Sequence, residues 1–228
     1  MSLSIIIPTY NEQVSIGTLL AYLLKHTSPR TEIIVADGGS SDATCSIVKE
    51  LGVKLMNCKQ KGRASQMNEA ASVASGDILY FLHADTYPPE SFEQSIFNAI
   101  AADYNSGCFR LAFDLDHWFL KANAWFTRFN VDAIRFGDQS LFVQKGIFLR
   151  AGRFNEQLVL LEDQEVVTRL KKKGRFIVLD EVVITSARKY QEVGVYKLQA
   201  GYFLLYTLYR AGVEQDKLIN IYKWLLHK

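Results

Sequence analysis

Carboxylates, one histidine and a few cations recur in this chain at places where they could bind and activate a phosphorylated nucleotide. In IIIPTYNE, Tyr10 and Glu12 follow an apolar run. The aromatic ring can stack on a flat base, and the carboxylate can accept from base or ribose donors. In DGGSSD (37–42) the two glycines let backbone approach a ligand closely, and Asp37 can accept a hydrogen bond from a pyrimidine ring nitrogen. His83-Ala84-Asp85 follows another apolar run. A nucleoside diphosphate needs its charge offset before its phosphate can leave, and Asp85 suits a divalent cation that does this. His83 could add an imidazole ligand or a phosphate hydrogen bond. Lys61, Arg63 and Asn68 surround the start of a helix, where cations and helix N–H groups can meet an anion. Glu162-Asp163 open a later helix after LVLL. Each fragment also has a plain structural reading as a polar turn, a capped loop or a carboxylate at a helix N-terminus. The dinucleotide GxGxxG and the phosphate loop GxxxxGK[ST] are absent.

The elements that must position these residues follow from apolar periodicity. Residues 3–8, 32–36, 53–57 and 77–82 read as strands, the last apolar on both faces and so central in a parallel sheet. Between them, Ile16, Leu19, Leu20, Leu23 and Leu24 share one helical face. A second helix, capped by Ser40, Ser41 and Asp42, runs to Leu51, and a third carries Ala64, Met67, Ala71 and Ala74 on one side. This alternation predicts a parallel sheet with helices on both faces. Ligands of such sheets collect beyond the carboxyl ends of the strands, where 9–12, 37–42 and 83–86 meet. After Pro88-Pro89, helices are expected at 92–102, 118–129 and 162–173, strands at 109–113, 140–144 and 176–180, and final helices at 195–209 and 215–226.

With 228 residues, 49% of them hydrophobic and 22% charged, the chain suits one globular domain. We expect a nucleotide-binding half at 1–87, an acceptor-side half at 88–190 and C-terminal helices at 191–228. A net charge of +2 does not suggest a nucleic-acid partner. Cys45, Cys58 and Cys108 are odd in number and widely spaced, as in a cytoplasmic protein with reduced thiols. Neither a signal peptide nor a run long enough to span a bilayer is present in the sequence. The segment 195–226, apolar nearly all round, could pack on the sheet, form a dimer contact or seat a lipid-linked acceptor.

Five segments in order, IIIPTYNE, VADGGSSDAT, KGRASQMNEAASVASGDILYFLHAD, FGDQSLFVQKGIFLRAGRFNE and LLEDQEVVTRLKKKGR, resemble the family 2 glycosyltransferases. The resemblance covers about residues 3–190, and the chain is also similar to a bacterial subgroup of small soluble members with a TSARKY-like segment, here 185–190. It implies the GT-A fold, an α/β architecture with a mostly parallel central sheet flanked by helices. It also implies inverting transfer of a sugar from a nucleotide-diphosphate donor to an acceptor hydroxyl; among donors we expect UDP, from Tyr10 for stacking and Asp37 for the ring N–H, although related enzymes also use GDP and dTDP.

In that resemblance Pro8, Tyr10 and Glu12 form the nucleoside entrance, and Asp37 contacts the base with Arg63 beside it. Asp85 is the last aspartate of the metal-binding DxD motif, implying Mn²⁺ or Mg²⁺. Asp163 is the general base, Gly137-Asp138-Gln139 belong to the acceptor wall, and Arg188 with Lys189 lie near the diphosphate. His83 replaces the first aspartate of DxD, which favours Mn²⁺ over Mg²⁺. A nucleotidyltransferase would carry a glycine-rich basic loop where PTYNE stands. A non-catalytic sugar-nucleotide sensor would not need both Asp85 and Asp163.

Overall fold

The structure, a computed structural model, describes residues 1–132 and 137–226. Strand β1 (Leu3–Thr9) is buried at every position. Such a run needs cover on both faces. Leu3, Ile5 and Ile7 pack against Ile16, Leu19, Leu20 and Leu23 of α1 (Ile16–His26). Ile6 points the other way, to Ala64 and Met67 of α3 (Arg63–Val73). β2 (Thr31–Asp37), α2 (Thr44–Glu50), β3 (Lys54–Asn57) and β4 (Ile78–Phe81) complete the first half. Its four strands are parallel, in the order β3-β2-β1-β4.

Pairing of β1 with β4 stops at Ile6 and Phe81, whereas pairing with β2 continues to Thr9 and Asp37. Pro8, which has no N–H, lies beyond the β4 ladder, so it costs the sheet little there. The strand order reverses at β1, and the strands part into a crevice on the β4 side. In a sheet of this kind that is the ligand-binding position.

The second half adds β5 (Thr86–Tyr87), α4 (Phe92–Ala101), β6 (Ser106–Phe113), α5 (Trp118–Phe126), a 3₁₀ turn (Gly137–Gln139), β7 (Leu141–Gln144), α6 (Lys145–Arg150), α7 (Glu162–Lys171) and β8 (Phe176–Thr185). Helices α8 (Arg188–Val193), α9 (Val195–Arg210) and α10 (Gln215–Leu226) close the chain. β7 joins β4 antiparallel and extends one sheet to the order β3-β2-β1-β4-β7-β6-β8-β5. The sheet is therefore continuous across residues 87 and 88, and mixed beyond β4. α5, α8, α9 and α10 share a small core of their own, with Leu120, Tyr190, Leu198 and Leu225.

Two local expectations change. The N-cap of α2 is Ala43, without a side-chain cap; Asp42 before it accepts from the Thr44 N–H at 3.0 Å, and the Ser40 hydroxyl is spent on Asp37. β8 runs five residues past the expected end at 180, to Thr185. Its partner β6 stays alongside it through the pair Phe113 and Thr185. Among the described residues, no helix is long and apolar enough to cross a membrane.

Candidate active site

The crevice begins with Asp37. It is buried and accepts from the Gly39 N–H (2.9 Å), the Ser40 N–H (2.8 Å), the Ser40 hydroxyl (2.5 Å) and the Thr9 hydroxyl (3.2 Å). A carboxylate has roughly four acceptor sites, so these donors fill it. Burial alone would raise its pKa. The hydrogen bonds from Ser40 and Gly39 outweigh burial and hold it below the ordinary aspartate value. Gln66, which the sequence did not single out, ties β1 to β2 by donating to the carbonyls of Thr9 (2.8 Å) and Ala36 (2.7 Å). Asn11 takes a positive φ of 55°, a conformation asparagine tolerates, and its side chain accepts from the Ser41 N–H at 2.9 Å. The two strand ends are thus laced into one rigid lip.

On that lip Tyr10 is exposed, with the Lys61 ammonium 3.3 Å from its ring centroid. Pro8 is buried inside the sheet and presents no group to a ligand. Glu12 is held by the Ser15 hydroxyl at 2.9 Å and faces Arg188 at 3.5 Å. The N-terminal strand ends therefore meet the start of α8, from far along the chain.

Opposite the lip lies a cavity of about 320 Å³, within the size range of small-molecule sites. Arg63, Asp85, Asp138, Asp163 and Lys189 line its polar end. Aromatic rings, among them Tyr190, Tyr202 and Tyr222, line the rest. Burial raises the Asp85 pKa. The neighbouring negative charges of Asp138 and Glu12 add to this, while His83 and Lys189 oppose it. His83 Nδ1 lies 3.1 Å from Asp138 Oδ1, so Asp138, expected only as part of a wall, orients the imidazole. Arg63 does not sit beside Asp37; it pairs with Glu162 at 2.8 Å.

Glu162 and Asp163 part company at the start of α7. Glu162 is 1% exposed, and among the described residues its oxygens have no partner beyond the Arg63 guanidinium. Burial pushes its pKa up to about 7 against the pull of Arg63. Asp163 faces the cavity instead. Successive helical residues project about 100° apart, which separates the two carboxylates. Leu161 ahead of them has a φ of 66°, strained for a branched side chain, and this turn sets the angle at which α7 enters the site. Gln164 lines the cavity with its buried amide unpartnered. No sequence signal marked Gln164, since an amide inside a charged helix reads as surface.

Among the described residues, no three His, Cys, Asp or Glu side chains converge as a metal cage. Asp85, crowded by other carboxylates, instead fits a cation that arrives with a diphosphate and keeps phosphate and water ligands.

The family described as glycosyl transferase family 2 matches residues 4–153, ending ahead of Glu162 and Asp163. An *Escherichia coli* protein named UDP-Glc:alpha-D-GlcNAc-diphosphoundecaprenol beta-1,3-glucosyltransferase WfgD is 38% identical over 86 residues, 36% of this chain and 34% of the relative. A dolichyl-phosphate-sugar glucuronosyltransferase of *Methanococcus voltae* is 31% identical over 99 residues, 40% of this chain and 31% of the relative. These matches thus span about a third of each relative's length. Among solved structures, the mannosyltransferase PcManGT of *Pyrobaculum calidifontis*, in complex with GDP-Man and Mn²⁺, superposes with a TM-score of 0.74 at 17% identity, over 98% of this chain and 69% of that one. *Staphylococcus aureus* TarS 1–349 gives 0.70 at 20%, over 97% and 69%. The fold is GT-A, and the chain belongs to glycosyl transferase family 2.

Proposed function

We propose that this chain is an inverting glycosyltransferase. It moves a sugar from a nucleotide-diphosphate donor, UDP-linked by preference, to an acceptor hydroxyl, with Asp163 as general base. One observation carries the reading: Asp163 lines the cavity with Asp85, Arg63 and Lys189, while adjacent Glu162 is turned inward. A base at the acceptor end takes the proton of the attacking hydroxyl. The diphosphate leaves from the opposite face of the sugar, which inverts the anomeric carbon, as in inverting glycoside hydrolysis.

Tyr10, Glu12 and Asp37 form the nucleoside seat. Asp37 offers a base N–H the site now held by the Thr9 hydroxyl, the longest of its four bonds at 3.2 Å. Arg188 and Lys189 oppose charge growing on the leaving phosphate. Asp85 would hold a Mn²⁺ or Mg²⁺ ion that comes with the donor, and such a cation would supply Lewis-acid stabilisation of the phosphate oxygens. His83, oriented by Asp138, supports that end of the site.

The relatives use more than one nucleotide: TarS has been solved with UDP-GlcNAc and PcManGT with GDP-Man. A thermal-shift panel of UDP-, GDP- and dTDP-sugars with and without Mn²⁺ tests the donor. At a ligand concentration about 100 times Kd, binding adds about 2.7 kcal/mol, several degrees of Tm for a chain of this size. The expected result is the largest shift with a UDP-sugar plus Mn²⁺, abolished in Asp85→Ala. A GDP-sugar shift as large as the UDP-sugar shift counts against the nucleotide assignment.

A further inference from the structure

Helix α5 carries an outward-facing apolar surface. Trp118, Ala122 and Trp125 stand at i, i+4 and i+7 and so share one face. That face is turned outward, with Trp118 67% and Trp125 47% exposed, while the only α5 residue that is buried is Leu120. The rings of Phe126 and Phe129 extend the patch, each in contact with Trp125 at 5.2 Å between centroids. Phe126 is exposed and also lines the cavity, as does Phe203 of α9, which is 71% exposed. The patch and the cavity mouth are therefore continuous.

The charged side chains on the patch itself are cations, with Asp114, Asp116 and Asp132 at its edges. Residues 117–131 contain Lys121, Arg128 and no carboxylate. The Arg128 guanidinium lies 4.4 Å from the Trp125 ring centroid, and Lys121 pairs with Asp116 at 2.7 Å. In residues 188–228, the segment of α8, α9 and α10, seven Lys and Arg stand against three Asp and Glu. With Arg188 and Lys189 set aside for the diphosphate end of the site, five cations remain against three anions, a basic pole on a chain whose total charge is only +2. Indole rings edged by cations are the chemistry of a helix lying at the headgroup level of an anionic bilayer. A second copy of this chain would bring two basic poles together, which like charge opposes.

We propose that the α5 patch, with the rim of α9, docks this protein on anionic phospholipid surfaces, the cavity mouth facing the lipid. Entry of an acceptor from that side rests on the cavity being the acceptor site, whereas the docking does not.

Sedimentation with vesicles tests the docking on the full chain. Vesicles of phosphatidylcholine mixed with phosphatidylglycerol should pellet the protein at low salt. Phosphatidylcholine alone, or high salt, should lower the bound fraction about ten-fold. The double variant Trp118→Ser/Trp125→Ser, altered only at exposed positions, should lose binding by about ten-fold while its Tm and UDP-sugar thermal shift stay those of the wild type. Wild-type protein left in the supernatant of anionic vesicles, or a double variant that pellets as well as wild type, overturns the proposal. So does a wild-type dimer in light scattering that the double variant lacks, since a second copy would then own the patch. The UDP-sugar shift reports donor binding separately, so either conclusion can fall without the other.

Discussion

Glu162 and Asp163 are neighbours with opposite surroundings, and that difference makes a testable pH dependence. Burial lifts the Glu162 pKa from its ordinary 4.5 to about 7. Below 4.5 the folded and unfolded chains both hold this proton, and the group is neutral to stability. Between 4.5 and 7 the unfolded chain releases it and the folded chain keeps it, so stability falls as pH rises. Above about 7 the loss is complete. Glu162→Gln removes this slope. Urea melts should show the variant gaining on wild type between pH 4.5 and pH 8, and an equal difference at both pH values would refute the raised pKa of the buried carboxyl. The sequence drew attention to this pair of residues, but which one the helix turns inward is set by the turn at Leu161. It could not show Arg63 leaving Asp37 for Glu162 either, since that ion pair joins residues about a hundred positions apart.

At the scale of elements, the parallel half was legible because each strand there is a short apolar run and each helix has one apolar face. Ile16, Leu19, Leu20 and Leu23 needed no tertiary information to be placed on the core side of α1. The second half was less legible. β5 is a two-residue strand, α6 and α8 are six-residue helices, and such pieces are held by their partners more than by their own pattern. Gly107 shows what joins them. A Cβ there would stand 2.6 Å from the Ile177 carbonyl oxygen and 2.5 Å from the Phe142 ring, so only glycine lets β6 pass between β7 and β8. Gly107→Ala should cost about 1–3 kcal/mol or more by denaturant melting, because a backbone oxygen cannot turn away as a side chain can. A wild-type melt would mean that the sheet is looser at that crossing.

For the whole molecule, one sheet runs from the crevice at the ends of β1 and β2 to a cavity under three C-terminal helices, so the donor and acceptor ends proposed above share one frame. The crevice was legible from the order of strands alone, because chain ends at a topological switch point must meet. The cavity was not, because its wall draws Phe126, Tyr190, Tyr202 and Tyr222 from separate helices whose rings read individually as core or surface. The central claim is that Asp163, and not Glu162, works on the reacting hydroxyl. It is tested by the rate of UDP release from the donor that gives the largest thermal shift, in Asp163→Asn and Glu162→Gln side by side. The account predicts that Asp163→Asn keeps donor affinity and loses about 10²-fold or more in rate, the usual cost of a lost general base. Glu162→Gln should stay within a few-fold of wild type. A dead Glu162→Gln beside an active Asp163→Asn would contradict it.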